Sequence, residues 1–339
     1  MNGTLDQLPF LGHNNILECL HSSLKSERVG HAYVFVGQKD LGKTRLARYF
    51  LQCIACEDFS GVHPCQTCRA CTALGKGIYA DFYLLDRQTD VKTGKIKKNI
   101  SVEQVKKLQS DLSQRSFYSR YKLILIHNAH TLSDSAANAL LKSLEEPHKK
   151  TVFILLCQNE GSLPATVLSR CQIVRFHPVP TKLISRFLQE AGRDRKVSDH
   201  ISKLSGGRAE LAIQYYENPQ KYEEYKEKVE NFLNFLEIPI YKRIESFSFL
   251  KKTPSSEIAA EASGYVCIWM SVLRDIMLVR QNSEYHTRNY FMLEKIKKVS
   301  HRFTNKKLTE LLQSLRAMLG MIDQNINIKL LFEEFLISI

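Results

Sequence analysis

The chain has 339 residues, of which 44% are hydrophobic and 24% charged, enough apolar material for two or three packed domains and too much for a mostly disordered protein. A formal charge of +13 and a pI near 9.2 fit a polyanionic partner, without requiring one. Nine cysteines, with no basic segment and apolar run in Met1–Ile16 to suggest export, argue against a disulfide framework and for reduced thiols or a metal site in a cytoplasmic protein. The apolar runs Thr151–Cys157 and Tyr265–Leu273 are shorter than the ~20 residues of a membrane span, so none is expected.

From His31 to Phe176, short apolar runs alternate with amphipathic stretches, the pattern of an α/β unit with a mainly parallel sheet. Strands are expected at Ala32–Val36, Phe82–Leu85, Lys122–Ile126, Thr151–Leu156 and Ile173–Phe176. Helices are expected at Lys43–Ala55, Val102–Arg115 and Ser133–Glu146, the last capped by Ser133, stopped by Pro147, and apolar along Ala137, Leu140, Leu141 and Leu144. Arg87–Asn99, with Lys92, Lys95, Lys97 and Lys98 around Gly94, reads as a basic loop or hairpin, either a solvated turn or a DNA contact. Pro178 and Pro180 mark a hinge. A small helical unit follows to about Tyr216, interrupted at Ser205-Gly206-Gly207, and an all-helical domain punctuated by Pro219, Pro239 and Pro254 completes the chain.

Between the first strand and first helix lies Gly37-Gln38-Lys39-Asp40-Leu41-Gly42-Lys43-Thr44, which fits G-x-x-x-x-G-K-[ST] in its required strand-to-helix context. In such a loop Gly37 and Gly42 let the backbone N–H groups curl around phosphates, Lys43 reaches the outer phosphates and Thr44 can ligate magnesium. Hydrolysis also requires carboxylates at the end of a following strand, to hold the metal and orient water. Here Lys122–Ile126 runs into His127-Asn128-Ala129-His130, so hydrolysis by this chain alone is not expected. Asp134 reads as a first-turn helix acid.

Cys56-x8-Cys65-x2-Cys68-x2-Cys71 offers four thiolates in sixteen positions, a spacing suited to tetrahedral zinc. A closed four-sulfur site leaves no place for water, which makes it structural. Cys53 is an extra thiol, while Cys19, Cys157 and Cys267 are expected to be packing residues.

These features resemble one family. His31-Ala32-Tyr33, the phosphate loop, the cysteine knuckle after it, Ala137-Asn138-Ala139-Leu140-Leu141-Lys142-Ser143-Leu144-Glu145-Glu146-Pro147, Leu168-Ser169-Arg170-Cys171 and the tail Asn325–Leu330 are together similar to bacterial DNA polymerase III clamp-loader AAA+ subunits. The resemblance implies an AAA+ domain over 1–178 with the knuckle at about 53–75, a helical lid over 179–216 and a helical collar over 217–339. It implies that Arg170 is an arginine finger for a neighbouring subunit's ATP; in isolation, an arginine paired to a local acid is the competing account. The sensor-1 position falls near Cys157–Asn159 without the usual Thr, and Arg208 lies near the sensor-2 position. Motor subunits of the family keep acids where this chain has His127 and Asn128, so the resemblance is to the delta-prime stator, with motor subunits, the delta subunit, the sliding clamp and primer-template DNA as implied partners. Two other hypotheses stay open: a motor using Asp86 or Asp134 for magnesium, and a zinc-dependent nucleic-acid module, which the lack of an aromatic residue between Cys65 and Cys71 disfavours.

Overall fold

The computed structural model describes residues 10–61, 63–90, 96–116, 121–148, 150–239, 241–243, 258–322 and 327–339. Lys92, Gly94 and Lys95 of the basic loop, Pro254, and Asn325 and Ile326 of the tail lie outside them. Contacts divide the chain into two units, residues 1–180 with 208–210, and 181–207 with 211–339. The first division falls at the expected hinge prolines.

The first unit is built on five parallel strands: β1 (Ala32–Val36), β2 (Phe82–Leu85), β3 (Lys122–Ile126), β4 (Thr151–Cys157) and β5 (Gln172–Arg175), in the order β2-β3-β4-β1-β5. The three central strands are buried along their whole length, which is why they read as unbroken apolar runs and not as alternating ones. Successive residues still serve opposite faces: Tyr33, Phe35, Leu123 and Leu125 enter one core, Val34, Val36, Ile124 and Ile126 the other. The first core packs against α1 (Asn14–Lys25), α2 (Lys43–Ala55) and α3 (Arg69–Gly75), the second against α4 (Val102–Ser113), α5 (Asp134–Glu145) and α6 (Ala165–Leu168).

The expected helices are found within one or two residues at their ends. The Ser133 hydroxyl accepts from the Ala136 N–H, and Ala137, Leu140 and Leu144 are buried with Leu141 partly so. Buried Lys122 stops α4 by donating to the carbonyls of Leu112 (2.7 Å) and Gln114, a cation placed at a helix C-terminus. In the basic segment, Thr89 pairs antiparallel with Ile96 and the Lys97 N–H donates to Gln88 O, as a hairpin does.

The second unit is helical throughout its described residues, from Thr181–Glu190 and Arg195–Ser205 to Ile328–Ser338. Gly206 ends the second of these in the left-handed conformation at φ 57°, the break expected at Ser205-Gly206-Gly207. The Tyr265–Leu273 run proved to be the middle of a 23-residue helix, Ile258–Arg280, which by length and composition could cross a membrane. Its apolar residues are also those of a core: Ala262, Val266, Trp269, Leu273 and Ile276 are buried, and Trp269 stacks on Phe232 at 4.7 Å between ring centres.

Asp275 on this helix is fully buried. Its carboxylate accepts from the backbone N–H groups of Arg288 (3.0 Å) and Asn289 (2.7 Å) and from the Asn289 amide (2.8 Å), pinning the following loop. Burial pushes its pKa up, against those donors and the Arg274 guanidinium. Asp275→Ala is expected to cost about 3–5 kcal/mol, because the donors remain buried without an acceptor. Urea unfolding checks this, and a loss below ~1 kcal/mol would show that the loop finds other acceptors.

Candidate functional site

The phosphate loop joins β1 to α2 through two unusual backbone positions. Gly37 has φ 151°, and a Cβ there would lie 2.7 Å from the Phe176 carbonyl oxygen, so only glycine fits. Gly42 caps α2 at φ 96°. Two long-range contacts hold the loop from outside: buried His13 bonds the Leu41 carbonyl through Nε2 at 2.9 Å, and the Glu210 N–H donates to Asp40 O at 3.0 Å. Burial lowers the His13 pKa, so the imidazole is a neutral donor at physiological pH. Lys43 is buried and folds back over its own loop, its ammonium 2.5 Å from both the Gly37 and Gln38 carbonyls. Burial also lowers its pKa. Thr44, in the first turn of α2, is exposed.

Just after β3, His127 and Asn128 turn to one partner. His127 Nδ1 lies 3.4 Å from Asp86 Oδ2, and Asn128, in the left-handed region at φ 48°, donates to Asp86 Oδ1 at 3.3 Å. The strand register explains this, since Leu85 pairs with Ile126 and sets Asp86 beside His127. Asp86 Oδ1 also accepts from the Arg87 N–H at 2.7 Å. A carboxylate so engaged is poorly suited to gathering a magnesium ion, which weakens the Asp86 version of the motor hypothesis. Asp134 opens α5 as its first-turn acid. His127 and His130 are both held below the ordinary imidazole range by burial, with Arg48 acting on the first and Arg87 and Lys43 on the second in the same direction. His127 Nε2 and His130 Nδ1 are buried without a hydrogen-bond partner among the described residues.

At the end of β4, Cys157 is buried, burial pushing its thiol up to about 11, and its carbonyl accepts from the Gly37 N–H. Asn159 is spent locally, accepting from the Gly161 N–H at 3.0 Å. Arg208 is half-buried and groups with the first unit.

The cysteines converge where the spacing placed them. The Sγ atoms of Cys56, Cys65, Cys68 and Cys71 all lie within 4.8 Å of one another. Backbone N–H groups point at three of them, from Cys65 to Cys56 Sγ (3.2 Å), Cys68 to Cys65 Sγ (3.3 Å) and Cys71 to Cys68 Sγ (3.4 Å). Such donors offset thiolate charge and fix ligand direction. The Cys68 N–H leads in pulling the Cys65 thiol down to about 6, while burial raises Cys56 and Cys71. Four thiolates this close repel, and a divalent cation is what lets them ionise together; the donor set therefore fits a metal. Cys53 stands apart, buried and hydrogen-bonded to Tyr49, its thiol raised to about 12. Of the three expected packing cysteines only Cys157 is buried: Cys19 and Cys267 are exposed on the outer faces of their helices, because amphipathic spacing left them off the apolar stripe.

Arg170 follows α6, just before β5. Its Nη1 donates to Thr166 O (2.9 Å) and Ser169 Oγ (3.2 Å), and its Nη2 meets Glu145 Oε1 at 2.5 Å. Its side chain remains one-third exposed, in a cleft of about 400 Å³ lined by Gly30, His31, Glu145, Ser169 and Gln172 among others. Pairing to a local acid and exposure to a partner are thus both present.

The family described as DNA polymerase III, delta subunit, matches residues 12–180, and the one described as DNA polymerase III, delta subunit, C terminal, matches residues 225–339. The chain belongs to the clamp-loader family of bacterial DNA polymerase III, as a delta-prime-type subunit. It is 26% identical over 326 residues to DNA polymerase III subunit delta' of Bacillus subtilis, covering 96% of this chain and 95% of that one. DNA polymerase III subunit tau/gamma of Haemophilus influenzae is 34% identical over 167 residues, which is 49% of this chain but 23% of the relative. Among solved structures, a DNA polymerase III gamma subunit-related protein of Thermotoga maritima has a TM-score of 0.49 and 16% identity, over 95% of this chain and 97% of its own. The full-length likeness is to a delta' chain, while the chain spans only about a quarter of the tau/gamma relative.

Proposed function

We propose that this clamp-loader subunit is a stator: it assembles with motor subunits and a delta subunit in the cytoplasm and supplies Arg170 to a neighbour's ATP, while its own phosphate loop does not turn over nucleotide. The observation that carries this reading is the contrast between two ends of one domain. His127 and Asn128 face Asp86 where a motor would present acids, whereas Arg170, one-third exposed, lines a surface cleft. A guanidinium is suited to the task, since its planar fork stays charged and matches phosphate oxygens two at a time.

Gly37, Gly42, Lys43 and Thr44 would hold the phosphates of a nucleotide, with magnesium against Thr44; bound without turnover, such a nucleotide stabilises the fold by mass action. Zinc on Cys56, Cys65, Cys68 and Cys71 would brace the turn between α2 and α3. In this reading residues 179–216 serve as a lid and 217–339 as a collar joining the subunits, and the assembled loader acts on a sliding clamp and primer-template DNA.

The test is reconstitution with motor subunits, a clamp and primed DNA. The chain alone is expected to show no magnesium-dependent ATP turnover, and its addition should raise turnover by the motors. Turnover by the purified chain that Lys43→Ala abolishes would instead identify a motor.

A further inference from the structure

The pairing of Arg170 with Glu145 bears on how the finger is used. Glu145 is the last residue of α5 and is half-exposed; the guanidinium it meets is anchored from the other side by Thr166 O and Ser169 Oγ. Of the five N–H donors of an arginine, those three contacts occupy three, leaving two without a partner among the described residues. The anchored side fixes where the group sits. The Glu145 side is the one with a charge, and it competes with any anion entering the cleft.

We infer that Glu145 is a resident counter-ion that parks the Arg170 guanidinium, and that the triphosphate of the neighbouring subunit takes Arg170 by displacing this carboxylate. The inference rests on Arg170 acting in trans, as proposed above. Three properties support it. The ion pair is open to water, so it is weak enough to exchange. A terminal phosphate brings more charge and more acceptor oxygens than one carboxylate, so the exchange favours phosphate. The carboxylate and an arriving phosphate repel each other, so they cannot share the guanidinium closely, and occupancy of the cleft has two distinct arrangements. Glu146, the next residue, is exposed and makes no ion pair among the described residues, which provides a control of equal charge.

The experiment measures hydrolysis against ATP concentration in a reconstituted loader whose motor subunits have their own trans arginines replaced, so that turnover depends on this chain, supplied as wild type, Glu145→Gln, Glu146→Gln, Arg170→Ala and the double variant Glu145→Gln/Arg170→Ala. Glu145→Gln is expected to lower KM for ATP about threefold, the size of effect a water-exposed ion pair carries, with kcat unchanged. Glu146→Gln should match wild type, and the double variant should match Arg170→Ala. An unchanged KM for Glu145→Gln, or a fall in kcat toward that of Arg170→Ala, would overturn the inference, the latter by showing that the acid orients the finger instead of restraining it. If Arg170→Ala itself hydrolyses ATP as wild type does, the failure lies with the finger reading and not with the carboxylate.

Discussion

Arg170→Ala is expected to leave the loader assembled and to slow hydrolysis at the neighbouring site proposed for it by ~10³-fold or more, the range an arginine finger contributes in related nucleotidases. The residue sits on the surface turn between α6 and β5, and no buried group depends on it, so truncation should not unfold the domain. Bulk turnover would hide much of the effect if other subunits carry fingers of their own. Single-turnover hydrolysis is therefore the measurement, with the motor subunits' own fingers replaced so that only this guanidinium acts. Arg170→Lys should recover a small part, because an ammonium supplies charge without the planar fork. A rate within twofold of wild type would remove Arg170 from the chemistry.

Removing the metal should have the larger effect on stability. Structural zinc in finger peptides contributes ~10–16 kcal/mol of apparent binding energy at neutral pH, much of it folding energy. The knuckle here is not alone in holding its segment, since Ala70, Ala73 and Leu74 of α3 pack into the sheet's first core. The expected result of chelation, or of Cys68→Ser, is accordingly a loss of several kcal/mol with α3 detached, and the rest of the sheet retained. Zinc released on thiol modification should amount to one equivalent per chain, and hydrogen exchange should accelerate in 56–75 before it does in β3 and β4. Purified reduced chain that carries no zinc, and unfolds as before in a chelator, would refute the metal site.

How far the sequence revealed these features follows from the range of the forces involved. Strands β1, β3 and β4 announced themselves because burial on both faces demands uninterrupted apolar runs. The phosphate loop and the knuckle are local, with every required residue inside a short window. Helix α1 was missed, although Ile16, Leu17, Leu20 and Leu24 recur at helical spacing, and so was α3, whose seven residues offer too little period to detect. What no local pattern encodes are pairings across the fold. His13 reaches a carbonyl 28 positions away, Glu145 meets Arg170 across 25, and Asp86 engages a histidine just past the end of β3. The absence of acids at His127 and Asn128 was legible, but where those side chains turned instead depended on the register of β2 against β3. Likewise the apolar run Tyr265–Leu273 understated the helix Ile258–Arg280, since Arg274 and the buried Asp275, satisfied by the loop that follows, interrupt its apolar signature.

The placement of β1 gives the domain a direction. The phosphate loop leaves its C-terminal end at Gly37, and the arginine cleft is lined by Gly30, His31 and Ala32 at its N-terminal end, so the two lie at opposite ends of the parallel strands. Five residues at ~3.3 Å each separate them by about 17 Å. Loop and cleft are therefore separate patches of surface, at the two ends of one strand. Copies of such a domain that paired one patch with the other would join head to tail, and such a row closes into a ring or winds into a helix according to its rotation per subunit. On the stator reading proposed above, a member that offers Arg170 at one end and lacks acids beside its own loop would suit the terminus of that row, where one end has no neighbour to serve it.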